Sequence, residues 1–158
     1  MTHLSERHFI ACPYGLAKIF LQAELTPVQG EVLEWTLHVA PPSPRGIDIA
    51  KDVEVTVSHA IDPMHFDEPW NVAWKPHGGG PYPSFAGTLT VRADEDWNVS
   101  AIELTGQYEP PLGVVGKAFD LLLGAHLATT TAEALLRDLG DRIIVRYKAE
   151  EAAKQAFR

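Results

Sequence analysis

One cysteine in 158 residues, Cys12, rules out an internal disulfide and with it the small disulfide-stapled classes. A cysteine-rich structural zinc site falls by the same count. Basic residues are few and scattered, 13 Lys and Arg against 21 Asp and Glu, for a net charge of −8. Phosphate backbones are gripped by clustered cations, so nucleic acid is not an expected partner, and an anionic membrane surface would repel the chain. No stretch approaches the roughly 18 uninterrupted apolar residues of a membrane span. The opening residues Met1 to Arg7 hold no apolar signal segment. A cytoplasmic protein without integral membrane association is therefore the expectation. A Gly-x-Ser-x-Gly elbow is also missing, as is any His-x-x-x-His pair among the seven histidines. Gly78-Gly79-Gly80 lacks the Lys-Ser/Thr ending of a phosphate-binding loop and reads as a mobile loop, placed to act as a lid. No metal and no cofactor is expected. The densest group of metal-ligand types, Asp62, His65, Asp67 and Glu68, lies in an acidic, proline-containing loop and reads as solvated.

With 46% hydrophobic and 22% charged residues the composition is that of one globular domain, spanning 1–158, with a tail from about 148 expected to fray. Proline and glycine gather in clusters, at 41–44, 76–83 and 110–113, which read as loops. Between them the period is two. Leu33, Trp35, Leu37 and Val39 share one face of a strand; Val53, Val55 and Val57 do the same in the next. Phe85, Leu89 and Val91, then Ile102, Leu104 and Tyr108, continue the pattern, with Asp94-Glu95-Asp96 starting the turn between them. Such alternation marks an antiparallel sheet with one face buried. Arg7 to Ala11 and Trp70 to Trp74 are weaker strand candidates. Helical spacing follows Pro13, through Leu16, Ile19, Phe20 and Ala23, and returns from Val114 to at least Ile144. In the longer segment Val115, Phe119, Leu122, His126, Leu136, Leu139 and Ile143 fall broadly along one side; Gly124 and Gly140 weaken it as a single straight rod. Strands and helices are segregated, which predicts an α+β fold: a curved antiparallel sheet of about six strands wrapped around a long C-terminal helix.

This order resembles the START-like or SRPBCC superfamily, the helix-grip fold of polyketide cyclases and lipid-transfer domains. The likeness covers roughly Arg7 to Arg146. His8-Phe9-Ile10-Ala11-Cys12-Pro13, with Leu16, Ile19 and Phe20 after it, is similar to the family's first strand and Pro-started helix. The run from Gly106 to Asp120 resembles the last strand and the Gly-broken start of the gripping helix, and Ala134 to Leu139 the helix's later part. The usual second short helix is barely visible between Glu24 and Gly30. The resemblance implies an internal cavity between sheet and helix that takes a lipid-like, aromatic or polyketide-like molecule.

The face predicted to be buried is aliphatic apart from Trp35, His59, Trp74 and Tyr108, joined by His126 and Phe119 from the helix. An apolar wall with a few convergent polar groups is what a ligand pocket requires, so these six are the candidate ligand contacts. Each also has a plainer reading: core filler for Trp35, Trp74 and His126, a rim position for His59 and a turn anchor for Tyr108. Three functions remain open. A carrier or sensor of a small hydrophobic molecule needs only the cavity. A cyclase or dehydratase would need two of His59, His126 and Tyr108 to converge as proton carriers. A solid core would leave an outer surface for a protein partner, and a homodimer stays open. Cys12, followed by Pro13 in an apolar stretch, reads as an inert buried thiol.

Overall fold

Alternating apolar and polar side chains build six strands, and two segments of helical period pack inside their curve. The structure, a computed structural model, describes residues 2–26, 32–40, 50–59, 69–80, 82–110 and 117–157, with backbone only at 117–121. In chain order the elements are β1 (Thr2–Ile10), α1 (Tyr14–Leu25), β2 (Leu33–Val39), β3 (Lys51–His59), β4 (Trp70–Pro76), β5 (Ser84–Ala93), β6 (Ser100–Glu109) and α2 (Lys117–Ala156). All neighbours are antiparallel, in the order β1-β6-β5-β4-β3-β2. Strands β2 to β6 thus form a meander, and the first strand of the chain joins the last. β1 and β4 are longer than the sequence pattern indicated, and α1 ends at Leu25, with 27–31 outside the described residues.

Register lines the concave face up in rows. One row runs Trp35, Val55, Trp74, Phe85, Tyr108 across five strands. The next runs Leu33, Val57, Val72, Gly87, Gly106, Leu4 across all six. The facing glycines mark a close approach of two backbones. A methyl group on Gly87 would fall on the Thr105 carbonyl oxygen and 2.6 Å from Phe85 Cζ; one on Gly106 would meet the Ala86 carbonyl and the same ring. Phe85 therefore lies over a gap that only glycine leaves, and the sheet bends there.

Two helices fill the curve. α2 buries Leu127, Ala128, Thr131, Ala132, Leu135, Leu136, Leu139 and Ile143, and α1 buries Ala17, Phe20, Leu21 and Leu25. The helices meet through Phe20 and Tyr147, ring centroids 6.4 Å apart, and through Glu24 on α1, which pairs with Arg142 and Arg146 of α2. The expectation of a frayed tail from about 148 does not hold: α2 continues to Ala156, with Lys154 near Glu150 and Glu151 one turn back. Nor does Gly140 interrupt it. A side chain there would strike the His8 imidazole of β1, 2.8 Å from its Cδ2, so glycine is what lets α2 lie close on the strand.

The glycine pair makes a specific demand. Gly106→Ala is expected to cost about 2–4 kcal/mol in urea unfolding, because the colliding atoms are backbone. Gly15→Ala, in α1 where nothing lies within 4 Å of an added methyl, should instead leave stability unchanged or raise it by up to about 1 kcal/mol.

Candidate functional site

The six residues named from sequence do not form one constellation. Trp74 and Tyr108 are buried on the same row of the concave face. Trp74 stacks on Phe85 at 4.3 Å, and its indole N–H donates to the Pro83 carbonyl at 3.2 Å. Trp35 shares that row at the opposite edge of the sheet and is half-buried, with the Arg142 guanidinium 5.3 Å from its ring centroid. The side chain of Phe119 lies outside the described residues, as do the Asp62–Glu68 loop and the side chain of Asp120.

The two histidines expected to point inward are exposed. His59 is the last residue of β3, and its ring rests on Trp70, centroids 4.5 Å apart, at the rim of the sheet. His126 fails for a reason of helical phase. Leu122 and His126 share a stripe, but the buried stripe is Leu127, Ala128, Thr131, Ala132 and Leu135, and Leu122 is 77% exposed. Leu122 and His126 lie about one residue, roughly 100°, off the buried stripe, whereas Leu136, Leu139 and Ile143 of the same expected side are buried.

His126 nonetheless lines a cleft. Between the end of β2 and the middle of α2 lies a space of about 520 Å³. Its strand wall is His38, Val39 and Ala40; its helix wall is His126, Thr129, Thr130, Glu133, Ala134 and Arg137. The helix residues recur at three and four because they are one face of α2. His38 is held by Asp52 on β3, Nδ1 to Oδ1 2.7 Å. Arg137 has no ion-pair partner among the described residues. Depressions of about 710 and 650 Å³ occur elsewhere, but they are lined largely by outward residues such as Thr88, Thr105 and Thr56. Under α1 the space enclosed by Leu21, Trp70 and Leu89 is about 40 Å³, room for little more than a water molecule. The cleft along α2 and β2 is a described space of ligand size at the β2 edge of the sheet, where Val39 faces inward and His38 outward.

Sequence reading missed two groupings, Tyr82 with Thr131 and Glu6 with His8. Tyr82 is buried, and its hydroxyl lies 2.6 Å from Thr131 Oγ1. Thr131 donates its own proton to the Leu127 carbonyl, so the Tyr82 O–H donates to Thr131. Burial pushes the Tyr82 pKa up, against the opposing effect of that hydrogen bond. The link ties Tyr82, ahead of β5, to α2. Glu6 and His8 sit on the concave side of β1, alternating with outward His3, Ser5, Arg7 and Phe9. Partial burial, then the neighbouring Glu133 carboxylate, raises the Glu6 pKa. Cys12 is fully buried, and burial pushes its thiol up to about 11, as an inert thiol requires.

No family model and no curated protein matches the chain. Solved structures do. TTHA0849 from Thermus thermophilus superposes with a TM-score of 0.54 at 14% identity, covering 91% of this chain and 98% of that one. The Zhui aromatase/cyclase from Streptomyces sp. R1128 gives 0.43 at 13%, covering 96% of each chain. A START superfamily protein from Mycobacterium smegmatis gives 0.43 at 11%, covering 89% and 99%. At such identities the likeness concerns the fold. The chain shares its fold with TTHA0849, an antiparallel six-stranded sheet with a long C-terminal helix, the helix-grip arrangement expected from the sequence. No helix is long and apolar enough to cross a membrane among the described residues.

Glu6 gives the fold a measurable pH signature. Folding raises its pKa, so its contribution to stability is complete below the ordinary 4.5 and is lost as pH rises through the raised value. Glu6→Gln should therefore raise the melting temperature at pH 7 relative to the natural chain and give no such gain at pH 3.5, in melts followed by circular dichroism.

Proposed function

We propose that this protein binds a small, largely apolar molecule in the cleft between β2 and α2, as a carrier or sensor. The observation that carries the reading is the cleft itself. It runs along the β2 edge of a helix-grip sheet, has ligand-sized volume, and joins apolar Val39 and Ala134 to a rim of hydroxyls, imidazoles, Glu133 and Arg137. Much of the remaining concave face is packed solid by α1 and the buried stripe of α2. Phe119, near the start of α2, stays a candidate contact in this reading, while Trp74 and Tyr108 are buried in the core row and do not line the cleft.

The enzyme reading lacks such support. Its three proton carriers are dispersed: Tyr108 is buried in the row, and His59 sits at the end of β3 remote from the cleft. His59 is eight residues along β3 from Lys51, the partner of Val39, a separation of about 26 Å. General acid–base catalysis requires groups within hydrogen-bond reach of one substrate atom.

The test is to fill the cleft. With the neutral fluorophore N-phenyl-1-naphthylamine as probe, Ala134→Phe is expected to weaken binding at least tenfold while far-UV circular dichroism is preserved. Thr88→Val, on the convex face, should bind as the natural chain does. Equal affinity in the Ala134→Phe variant would remove the cleft as the site.

A further inference from the structure

One edge of the sheet is complementary to itself. β2 ends the strand order, and no described residue pairs with its backbone on the side away from β3. Its outward residues Glu34, Thr36 and His38 are exposed, while Leu33, Trp35, Leu37 and Val39 face inward. Leu33 and Trp35 are only half-buried, and Val32, just ahead of the strand, is 51% exposed. An edge with unpaired N–H and C=O groups is a template for another strand, and folded proteins blunt such edges with lysine, proline or a bulge. β2 has no lysine and no proline, and its seven residues pair with β3 in unbroken register. α2 stands off the Val39 end of the strand across a space of about 520 Å³, so the helix does not bar the approach there.

Laid antiparallel on a second copy about a two-fold axis at Thr36, the strand matches along its whole length. Glu34 comes opposite His38, Leu33 opposite Val39, Trp35 opposite Leu37 and Thr36 opposite itself, and just outside the strand Val32 comes opposite Ala40. Acid meets imidazole, apolar residues meet apolar ones on the face they already occupy, and threonines meet on the axis. These are the cross-strand pairs that stabilise a ladder. His38 suits its place: its Nδ1 is 2.7 Å from Asp52 Oδ1, so as an imidazolium it gives that proton to Asp52 and its Nε2 proton to Glu34 of the second copy. The opposite edge of the sheet has no such match. About the centre of β1, Glu6 would face itself and Leu4 would face His8; a dyad one residue to either side would set Leu4 against Glu6 or Arg7 against itself. We propose that this protein forms a homodimer in which the two β2 strands pair antiparallel about Thr36, joining the two six-stranded sheets into one.

Sedimentation of the full chain tests the pairing and its register. At about 100 µM, where even a micromolar dimer is nearly complete, twice the mass of one chain is expected. Thr36→Lys and Thr36→Glu each set like charges against each other across the axis, at an exposed position. Each should raise the dimer Kd about tenfold or more, with far-UV circular dichroism unchanged. An equal mixture of the two variants should recover the dimer, because lysine then faces glutamate, as it does only where residue 36 meets residue 36. Independently of that position, Glu34→Lys should weaken the dimer, whereas His38→Lys, which keeps a cation facing Asp52 and Glu34, should leave it intact. A monomer at this concentration would overturn the inference. So would a dimer that Thr36→Lys, Thr36→Glu and Glu34→Lys all leave unchanged, since its contact lies elsewhere. A mixture that associates no more tightly than the separate Thr36 variants would overturn it too.

Discussion

Two backbones that touch at Gly87 and Gly106 set the shape on which the rest of the molecule depends. A sheet of six strands has a natural twist, but a wrap tight enough to hold a helix requires a place where strands can fold toward each other without side chains between them. The glycine pair is that place, and Phe85 covers it. Once the sheet is curved, one face becomes an interior. The rows of Val53, Val55, Val57, Leu89, Ile102 and Leu104 then have only the helices to pack against. α2 meets that interior with small residues, Ala128 and Ala132, beside large ones, Leu135, Leu136 and Leu139, which is how a helix settles between two rising walls.

Polar atoms then fix the orientation that apolar contact leaves loose. Hydrophobic burial has no direction, so a helix could slide along its groove at small cost. Tyr82 donating to Thr131, Glu24 answering Arg142 and Arg146, and Gly140 seated on His8 each define one position along the axis of α2. Those attachments lie toward α1, β1 and the β4–β5 loop. On the β2 side Arg142 lies over the Trp35 ring, and the cleft opens farther along the strand, near Val39.

Much of this architecture was legible in residue order, and the exceptions have physical causes. Val53, Val55 and Val57 announce their strand because hydrophobicity and the pleat share a period of two. β1 is obscure because Glu6 and His8 occupy two of its inward positions, so its alternation is broken by polar groups that only a helix overhead makes sense of. Leu122 and His126, at helical spacing, were placed on the inward side of α2 and lie off it, whereas Leu136, Leu139 and Ile143 are buried as their spacing implied. Of the candidate contacts, Trp35, Trp74 and Tyr108 share a row as their parity implied. His59 and His126 were placed inside because parity and spacing say which way a side chain leans and nothing of whether anything covers it. The pairing of Tyr82 with Thr131 joins residues 49 apart with no local pattern to betray it.

The pairing of the first strand with the last has a consequence for how the chain comes into being. Thr2 meets Tyr108 and Ile10 meets Ser100, so β1 has no edge to join until nearly the whole sheet has left the ribosome. Until then its inward residues, Leu4 and Ile10, are exposed, and the meander of β2 to β6 can assemble without them. Contacts that span most of a chain make folding slow, and an unpaired strand waiting at the N-terminus is exposed to wrong partners meanwhile. Here the waiting strand reads Thr-His-Leu-Ser-Glu-Arg-His, polar at most positions. The same glutamate and histidines that hide β1 from a reader of the sequence keep it soluble while it waits.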